Sequence, residues 1–159
     1  MKYLFVMRHG ETDTATNLFS ETLTKWGIKM IEKTALKLGK IFEGQKVLII
    51  TSDSERAIAT TNILNASLKA NVIQDPVLRM FGNDLATSIK TLESVKQYAD
   101  KYDVIILVTH LENVARFPNY FYNKYLGQIG EEKRENIDNS CGWLIDCVNG
   151  TKEFISTKD

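Results

Sequence analysis

Three short, uninterrupted apolar runs constrain the fold of this chain most strongly. They cover residues 3–7, 47–50 and 104–108. Each run has the length of a β-strand and is too short for a buried helix, so each indicates a strand that is buried on both faces. Segments with helical periodicity separate the three runs. This alternation predicts a mostly parallel sheet with helices on both of its faces.

The segments between these runs complete the predicted order of elements. Apolar residues at helical spacing after Thr24, a typical N-cap residue, predict a first helix whose core face includes Ile28. Ile89 is expected to face the core from the third helix, and Asn149-Gly150 predicts a hairpin between the last two strands. The predicted helices cover residues 25–42, 57–68, 88–100 and 112–126, the last broken or bent at Pro118, and the further strands cover residues 71–74, 143–148 and 153–156.

Length and composition agree with one globular domain. At 159 residues, with 43% apolar and 25% charged residues, the chain can build a single core. We therefore predict one domain over residues 1–159 with an α/β fold, a three-layer α/β/α arrangement in which helices flank a mostly parallel central sheet. Cys141 and Cys147 lie six residues apart in what looks like one strand, so we expect buried thiols rather than a disulfide.

Charge and hydropathy exclude several classes of partner. Lys plus Arg and Asp plus Glu both number 20, so no overall field favours nucleic acid or an anionic membrane. No apolar stretch approaches the roughly 20 residues that span a bilayer. The first apolar run is also too short for a signal-peptide core. We expect a cytoplasmic protein that binds neither nucleic acid nor membranes.

Both histidines of the chain follow apolar runs. His9 follows the first run and His110 the third, while Arg8 precedes the first histidine and Arg56 follows the second run. Each residue alone is more commonly structural, but the carboxyl ends of parallel strands meet at one sheet edge, where ligands bind. Two guanidinium groups can hold phosphate oxygens, one imidazole can attack phosphorus, and Gly10 lets the backbone approach the ligand. The set predicts a site for a phosphate-like dianion.

Four motifs along the chain resemble those of the histidine phosphatase superfamily, which has the phosphoglycerate mutase-like fold. Arg-His-Gly-Glu-Thr at residues 8–12 looks like the family signature. Residues 23–27 are similar to its Leu-Thr-x-x-Gly element, and residues 51–61 are similar to its Ser-x-x-x-Arg-Ala-x-x-Thr element. Val-Thr-His at residues 108–110 resembles the strand that carries the second family histidine.

The resemblance implies a metal-independent phosphatase without a cofactor. His9 would be the nucleophile and form a phosphohistidine that water hydrolyses, while Arg8, Gly10, Arg56 and His110 would bind the phosphoryl group. In size the chain is most similar to the compact SixA-type phosphohistidine phosphatases. That similarity favours a phosphorylated protein, including phosphohistidine, as the substrate, with a small phosphorylated metabolite as the alternative. A non-catalytic member that binds a phosphorylated ligand is a second hypothesis, and a phosphoglycerate mutase is a third and less favoured one.

The resemblance is incomplete at the general acid. Many family members carry a Glu at the position that Met80 occupies here. Asp84 and Glu11 are the candidate acids, and Glu112 is a further carboxylate near the predicted site. Leu111 and Glu112 also stand where the family often has small residues, and the family's phosphate-binding Asn falls on Ala15. Because an alkyl alcohol leaves poorly without a proton, the sequence favours an activated phosphoryl substrate.

Overall fold

The computed structural model describes residues 1–15, 17, 19–79, 85–129 and 136–158. Within these residues the chain forms one six-stranded sheet and four α-helices. The strands are β1 (Tyr3–Arg8), β2 (Val47–Thr51), β3 (Asn71–Gln74), β4 (Val104–Thr109), β5 (Gly142–Asp146) and β6 (Thr151–Ile155). The helices are α1 (Lys25–Ile41), α2 (Glu55–Leu68), α3 (Leu85–Lys96) and α4 (Leu111–Lys124), and a 3₁₀ turn covers Pro76–Arg79.

The order of strands across the sheet is β3-β2-β4-β1-β5-β6. The first four strands of the chain pair in parallel, and β5 and β6 pair antiparallel at one side, so the mostly parallel sheet is confirmed. In this register Arg8 of β1 is paired with Thr109 of β4, and Thr51 of β2 with Val108. The carboxyl ends of β1, β2 and β4 therefore lie side by side at one edge, where parallel strands commonly present a ligand site.

Alternate residues of β1 enter separate cores on the two faces of the sheet. Leu4 and Val6 pack with apolar residues of α3 and α4, whereas Phe5 and Met7 pack with those of α1 and α2. All four side chains are completely buried. Full burial of such a side chain stabilises the fold by roughly 1.5–3 kcal/mol. The three-layer α/β/α arrangement predicted from the apolar runs is thus confirmed.

Helix boundaries follow local capping. Thr24 caps α1 as predicted, because its Oγ1 accepts a hydrogen bond from Gly27 N at 2.9 Å. Ser54 caps α2, which begins at Glu55, two residues earlier than predicted. The last strand before the hairpin ends early, at Asp146, because the carboxylate of this residue accepts hydrogen bonds from Val148 N and Asn149 N and turns the chain.

Two sequence predictions about helix burial are wrong, and one of the two alternatives at Pro118 is excluded. Ile28 of α1 and Ile89 of α3 are 37% and 40% exposed rather than part of the core. Apolar spacing placed both on the inner face, but each lies at the edge of its helix face. Pro118 does not break α4, which continues through it. The buried side chains of Phe117 and Phe121 on either side of the proline hold this helix against the sheet.

Two further findings concern the thiols and the helices. Cys141 and Cys147 are free thiols, as predicted, although Cys147 is only half-buried.

Among the described residues, no helix has the length and apolar character needed to cross a membrane.

Two glycines make a matched test of this packing. A Cβ at Gly142 would lie 2.1 Å from the carbonyl oxygen of Val6 in the neighbouring strand, whereas a Cβ at Gly39 of α1 would meet no atom within 4 Å. Because backbone cannot move aside cheaply, we expect Gly142→Ala to lower the free energy of unfolding by about 3 kcal/mol. Gly39→Ala should raise it by about 0.5–1 kcal/mol through helix propensity. Urea unfolding of both variants checks this, and equal effects would contradict the packing described.

Candidate active site

A cavity of about 470 Å³ opens at the carboxyl edge of the parallel strands. The four predicted site residues, Arg8, His9, Arg56 and His110, all line it. They come from the ends of β1 and β4 and from the first turn of α2, so the strand order brings them together. The remaining lining residues are Glu11, Thr12, Asp13, Thr14, Ala15, Thr24, Leu111, Glu112 and Asn139.

The ring of His9 is held in one orientation. Its Nδ1 lies 2.8 Å from the carbonyl oxygen of Gly10. A carbonyl only accepts hydrogen bonds, so Nδ1 must carry the proton and donate. Nε2 is then the unprotonated nitrogen of the neutral ring. The hydrogen bond therefore fixes both the tautomer and the atom that can act as a nucleophile.

The backbone around His9 is also fixed from several sides. His9 N donates to the carbonyl of Thr109, and Asn139 Nδ2 donates to the carbonyl of His9 at 3.0 Å. Gly10 N donates to Thr60 Oγ1 at 2.9 Å, and this hydroxyl donates to the carbonyl of Arg56 at 2.7 Å. One threonine thus couples the end of β1 to the helix that carries Arg56.

Gly10 is closely packed and hydrogen-bonded. It does not line the cavity, and its N–H and carbonyl are engaged by Thr60 and by the His9 ring. A Cβ at this position would lie 2.5 Å from Ile31 Cδ1 of α1. That Gly10 binds the phosphate stays a prediction. The glycine lets the strand end pack closely against α1, because a side chain would fill that space.

His110 lies beside His9 and is positioned by β2. The two ring centroids are 5.3 Å apart at an interplanar angle of 61°. His110 Nε2 lies 2.9 Å from Ser52 Oγ, within a buried hydrogen bond. Ser52 is the first residue after β2, so the parallel register places it directly beside the end of β4. The second imidazole is therefore oriented by the neighbouring strand end.

Both arginines keep a guanidinium N–H group without a protein acceptor. Arg8 Nη1 donates to the carbonyl of Ile137 at 2.7 Å, which leaves the rest of its guanidinium toward the cavity it lines. Arg56 is anchored through its backbone, since its N–H donates to Glu21 Oε2 at 2.8 Å. Within the described part of the chain, the buried Nε–H groups of Arg8 and Arg56 donate to no acceptor. Buried charged donors without acceptors are suited to bind an anion.

Burial keeps both imidazoles neutral. It lowers the pKa of His9 to about 3, and the charges of Arg56, His110 and Arg8 act in the same direction. Burial also lowers the pKa of His110 to about 4, and Arg56 again contributes. Burial lowers the pKa of Arg8 as well, against the charges of Glu112 and Asp138, but a guanidinium stays protonated at neutral pH. The free site therefore holds two neutral imidazoles between two cations.

These pKa values make stability depend on pH. His9 and His110 are the only histidines, and their folded-state pKa values of about 3 and 4 lie below the unfolded value of 6.5. Below pH 6.5 the unfolded chain therefore binds more protons than the folded one. The free energy of unfolding should fall by roughly 1 kcal/mol per pH unit per histidine as the pH drops from 6 to 5. Single His→Gln variants in phosphate-free buffer should show shallower slopes, and slopes equal to wild type would contradict this assignment.

Of the two predicted general acids, Glu11 lies within the described residues and Asp84 does not. Glu11 lines the cavity, but its Oε1 accepts a hydrogen bond from Thr24 Oγ1 at 2.8 Å and so ties the loop to the start of α1. Asp84 and Met80 lie outside the described residues. Asp13 and Glu112 also line the cavity. The described residues contain no group of three or more His, Cys, Asp or Glu side chains that could hold a metal ion.

Comparison with known proteins now identifies the family. The model of the histidine phosphatase superfamily (branch 1) matches residues 4–114. The chain belongs to this superfamily. The matched segment includes both histidines, both site arginines and all of the parallel strands except the first residue of β1. No curated protein matches the chain significantly.

Solved structures of distant sequence share the fold of this histidine phosphatase. The mycobacterial glucosyl-3-phosphoglycerate phosphatase in complex with VO3 has a TM-score of 0.68 at 17% identity, covering 91% of each chain. A protein described as the phosphohistidine phosphatase SixA of Nakamurella multipartitia has a TM-score of 0.71 at 14% identity, covering 98% of this chain and 94% of that one. YhfR of Bacillus stearothermophilus has a TM-score of 0.67 at 20% identity, covering 100% of both.

Sequence reasoning missed several residues that position the histidine phosphatase site. Ser52 and Thr60 belong to a motif that was recognised, but only its Arg56 was given a role. Their hydroxyl groups orient His110 and join Gly10 to α2. Glu21 and Asn139 had no sequence signal, because each lies in an irregular segment and bonds backbone that is distant along the chain.

Proposed function

We propose that the protein is a metal-independent phosphatase that forms a phosphohistidine at His9. The observation that carries this proposal is the hydrogen bond from His9 Nδ1 to the carbonyl of Gly10. It leaves Nε2 as the nucleophilic nitrogen of a buried, neutral ring in a cavity that two arginines also line. Phosphoryl transfer depends mostly on positioning and on stabilising charge, and these residues supply both.

In the first step, His9 Nε2 attacks phosphorus and the bond to the leaving group breaks. Arg8 and Arg56, which both line the cavity, hold the equatorial oxygens through charge-assisted hydrogen bonds. His110, oriented by Ser52, stands beside His9 to stabilise charge on the transferring group. No further group is needed to activate the nucleophile, because its pKa of about 3 keeps it unprotonated above pH 4.

In the second step, water attacks the phosphohistidine. The P–N bond breaks, inorganic phosphate forms, and neutral His9 is regenerated. The same arginines would stabilise this transition state, since it carries the same charge on the same oxygens. The bond from Nδ1 to Gly10 persists through both steps and keeps Nε2 directed at phosphorus.

The substrate is proposed by class. The cavity is open to solvent and large enough for a phosphoryl group together with part of the group that carries it. Among the neighbours, one is named for a small phosphorylated metabolite and another for phosphohistidine. We therefore propose that the substrate is a phosphorylated protein, including phosphohistidine, or a small phosphate ester. We favour the phosphorylated protein because the chain is compact.

A non-catalytic, phosphate-binding role is the second candidate. Leu111 and Glu112 line the cavity next to His110. A branched apolar side chain and a carboxylate at that position restrict the space and add negative charge where a substrate would enter. A protein of this kind would bind a phosphorylated ligand and not turn it over.

Hydrolysis of p-nitrophenyl phosphate between pH 5 and 8 in the presence of EDTA separates the two candidates. The phenolate leaves without a proton, so turnover tests the nucleophile and the cations alone. We expect metal-independent turnover that vanadate inhibits. Vanadate binding without turnover would favour the non-catalytic candidate, and the absence of both would contradict a phosphate site.

A further inference from the structure

Glu112 occupies a distinctive place in the active-site cavity. It lies in the first turn of α4, two residues after His110, and lines the cavity with Arg8 and His9. Its side chain is half-buried. A carboxyl group beside half-buried arginines is unexpected in a site that only binds a dianion, because a carboxylate and a dianion repel each other.

The negative charge of Glu112 acts on two of the residues that would hold the phosphoryl group. It raises the pKa of Arg8 and that of His110, against the opposing effect of burial on each. Within the described residues, its carboxyl makes no hydrogen bond or ion pair. The carboxyl is therefore close to the reacting region without being committed to a structural partner.

The other carboxylates of the cavity are less well placed. Glu11 Oε1 is engaged by Thr24 Oγ1, which also caps α1. Asp13 lies in the loop before α1, where its backbone N–H donates to the carbonyl of Thr22. Glu112, in contrast, stands on a helix that directly continues the strand of His110. Groups on helices are positioned more accurately than groups on loops, which favours Glu112 for a proton transfer.

We propose that Glu112 is the general acid of the phosphatase reaction, an inference that rests on the proposed function. As His9 Nε2 bonds to phosphorus, the Glu112 carboxyl proton moves to the leaving oxygen and the P–O bond breaks. The resulting carboxylate then takes a proton from the water that attacks the phosphohistidine, which restores the carboxyl as the P–N bond breaks.

The assignment changes the expected substrate. An alkyl phosphate, such as phosphoserine or a sugar phosphate, needs a proton on its leaving oxygen, and Glu112 supplies it. The protein is therefore competent for unactivated phosphate esters. This differs from the expectation, based on Met80, that an activated phosphoryl substrate is favoured.

The test compares Glu112→Gln with wild type on two substrates, 2-glycerophosphate and p-nitrophenyl phosphate. We expect kcat/KM for the alkyl ester to fall by about 10²–10⁴. For the aryl ester it should fall less than about tenfold, since a phenolate needs no proton. Glu112→Asp should restore part of the alkyl activity. Glu11→Gln and Asp13→Asn are matched controls that should not change the ratio of the two activities.

Three outcomes would overturn the assignment. They are an equal loss on both substrates in Glu112→Gln, a changed ratio in Asp13→Asn instead, and a wild type that hydrolyses only the aryl ester. A wild type that hydrolyses neither ester would overturn the proposed function, and this assignment with it. The aryl activity of wild type therefore distinguishes failure of the acid from failure of the nucleophile.

Discussion

Replacing His9 with alanine is expected to lower kcat for p-nitrophenyl phosphate by a factor on the order of 10⁴ or more. The reason is that Nε2 forms the covalent bond to phosphorus, and no other residue of the described cavity has a neutral nitrogen held in this way. His110 is the nearest imidazole, but its Nε2 is engaged with Ser52 Oγ. Steady-state kinetics in EDTA measure the loss.

His9→Gln is the matched control for structure. The glutamine amide can donate to the carbonyl of Gly10, as Nδ1 does now, but cannot accept the phosphoryl group. We expect it to fold like wild type and to be as inactive as His9→Ala. Free imidazole should restore some activity to the alanine variant and none to the glutamine variant, whose side chain fills the site. Full activity in either variant would place the nucleophile elsewhere.

Replacing Arg56 with alanine is expected to reduce kcat/KM by about 10³, because a guanidinium stabilises the charge of the transferring group. The effect should appear in kcat and in the binding of vanadate. Arg56→Lys keeps the charge but loses the planar fork, so we expect a loss of about 10². The hydrogen bond from residue 56 N to Glu21 Oε2 is made by the backbone and survives in both variants.

Arg116→Ala provides the matched control for this prediction. Arg116 is an exposed residue of α4 and does not line the cavity. The Arg116→Ala substitution removes an arginine side chain and its charge at a position outside the cavity. Activity should therefore stay within about twofold of wild type. If Arg56→Ala were as active as Arg116→Ala, Arg56 would have no part in the reaction, although it lines the cavity.

The sheet and the placement of the cations could be predicted because continuous apolar runs have one dominant interpretation. The runs at residues 3–7, 47–50 and 104–108 became β1, β2 and β4, and parallel pairing alone brings their ends together. The family motifs added expected roles for the residues at these ends. Burial of individual helix residues was harder to predict, since Ile28 and Ile89 fit the apolar period and still lie at the helix edge.

The supporting contacts of the site could not be predicted from patterns. The role of Gly10 depends on how close α1 packs, which is a tertiary property. Asn139 and Glu21 reach backbone atoms more than a hundred and more than thirty residues away, respectively. Ser52 and Thr60 were visible in a motif, but their partners depend on strand register and on the position of α2 beside Gly10. Asp84, one of the predicted acids, lies outside the described residues.

Trapping the phosphoenzyme tests the central claim most directly. Wild-type protein is mixed with a phosphorylated substrate, quenched in alkali within the first turnovers, and mapped by mass spectrometry under conditions that preserve phosphohistidine. The account predicts a phosphoryl group on His9, stable in alkali and labile in acid, and none on His110 or in His9→Gln. A phosphoryl group on another residue, or turnover with no phosphoenzyme under any quench, would contradict it.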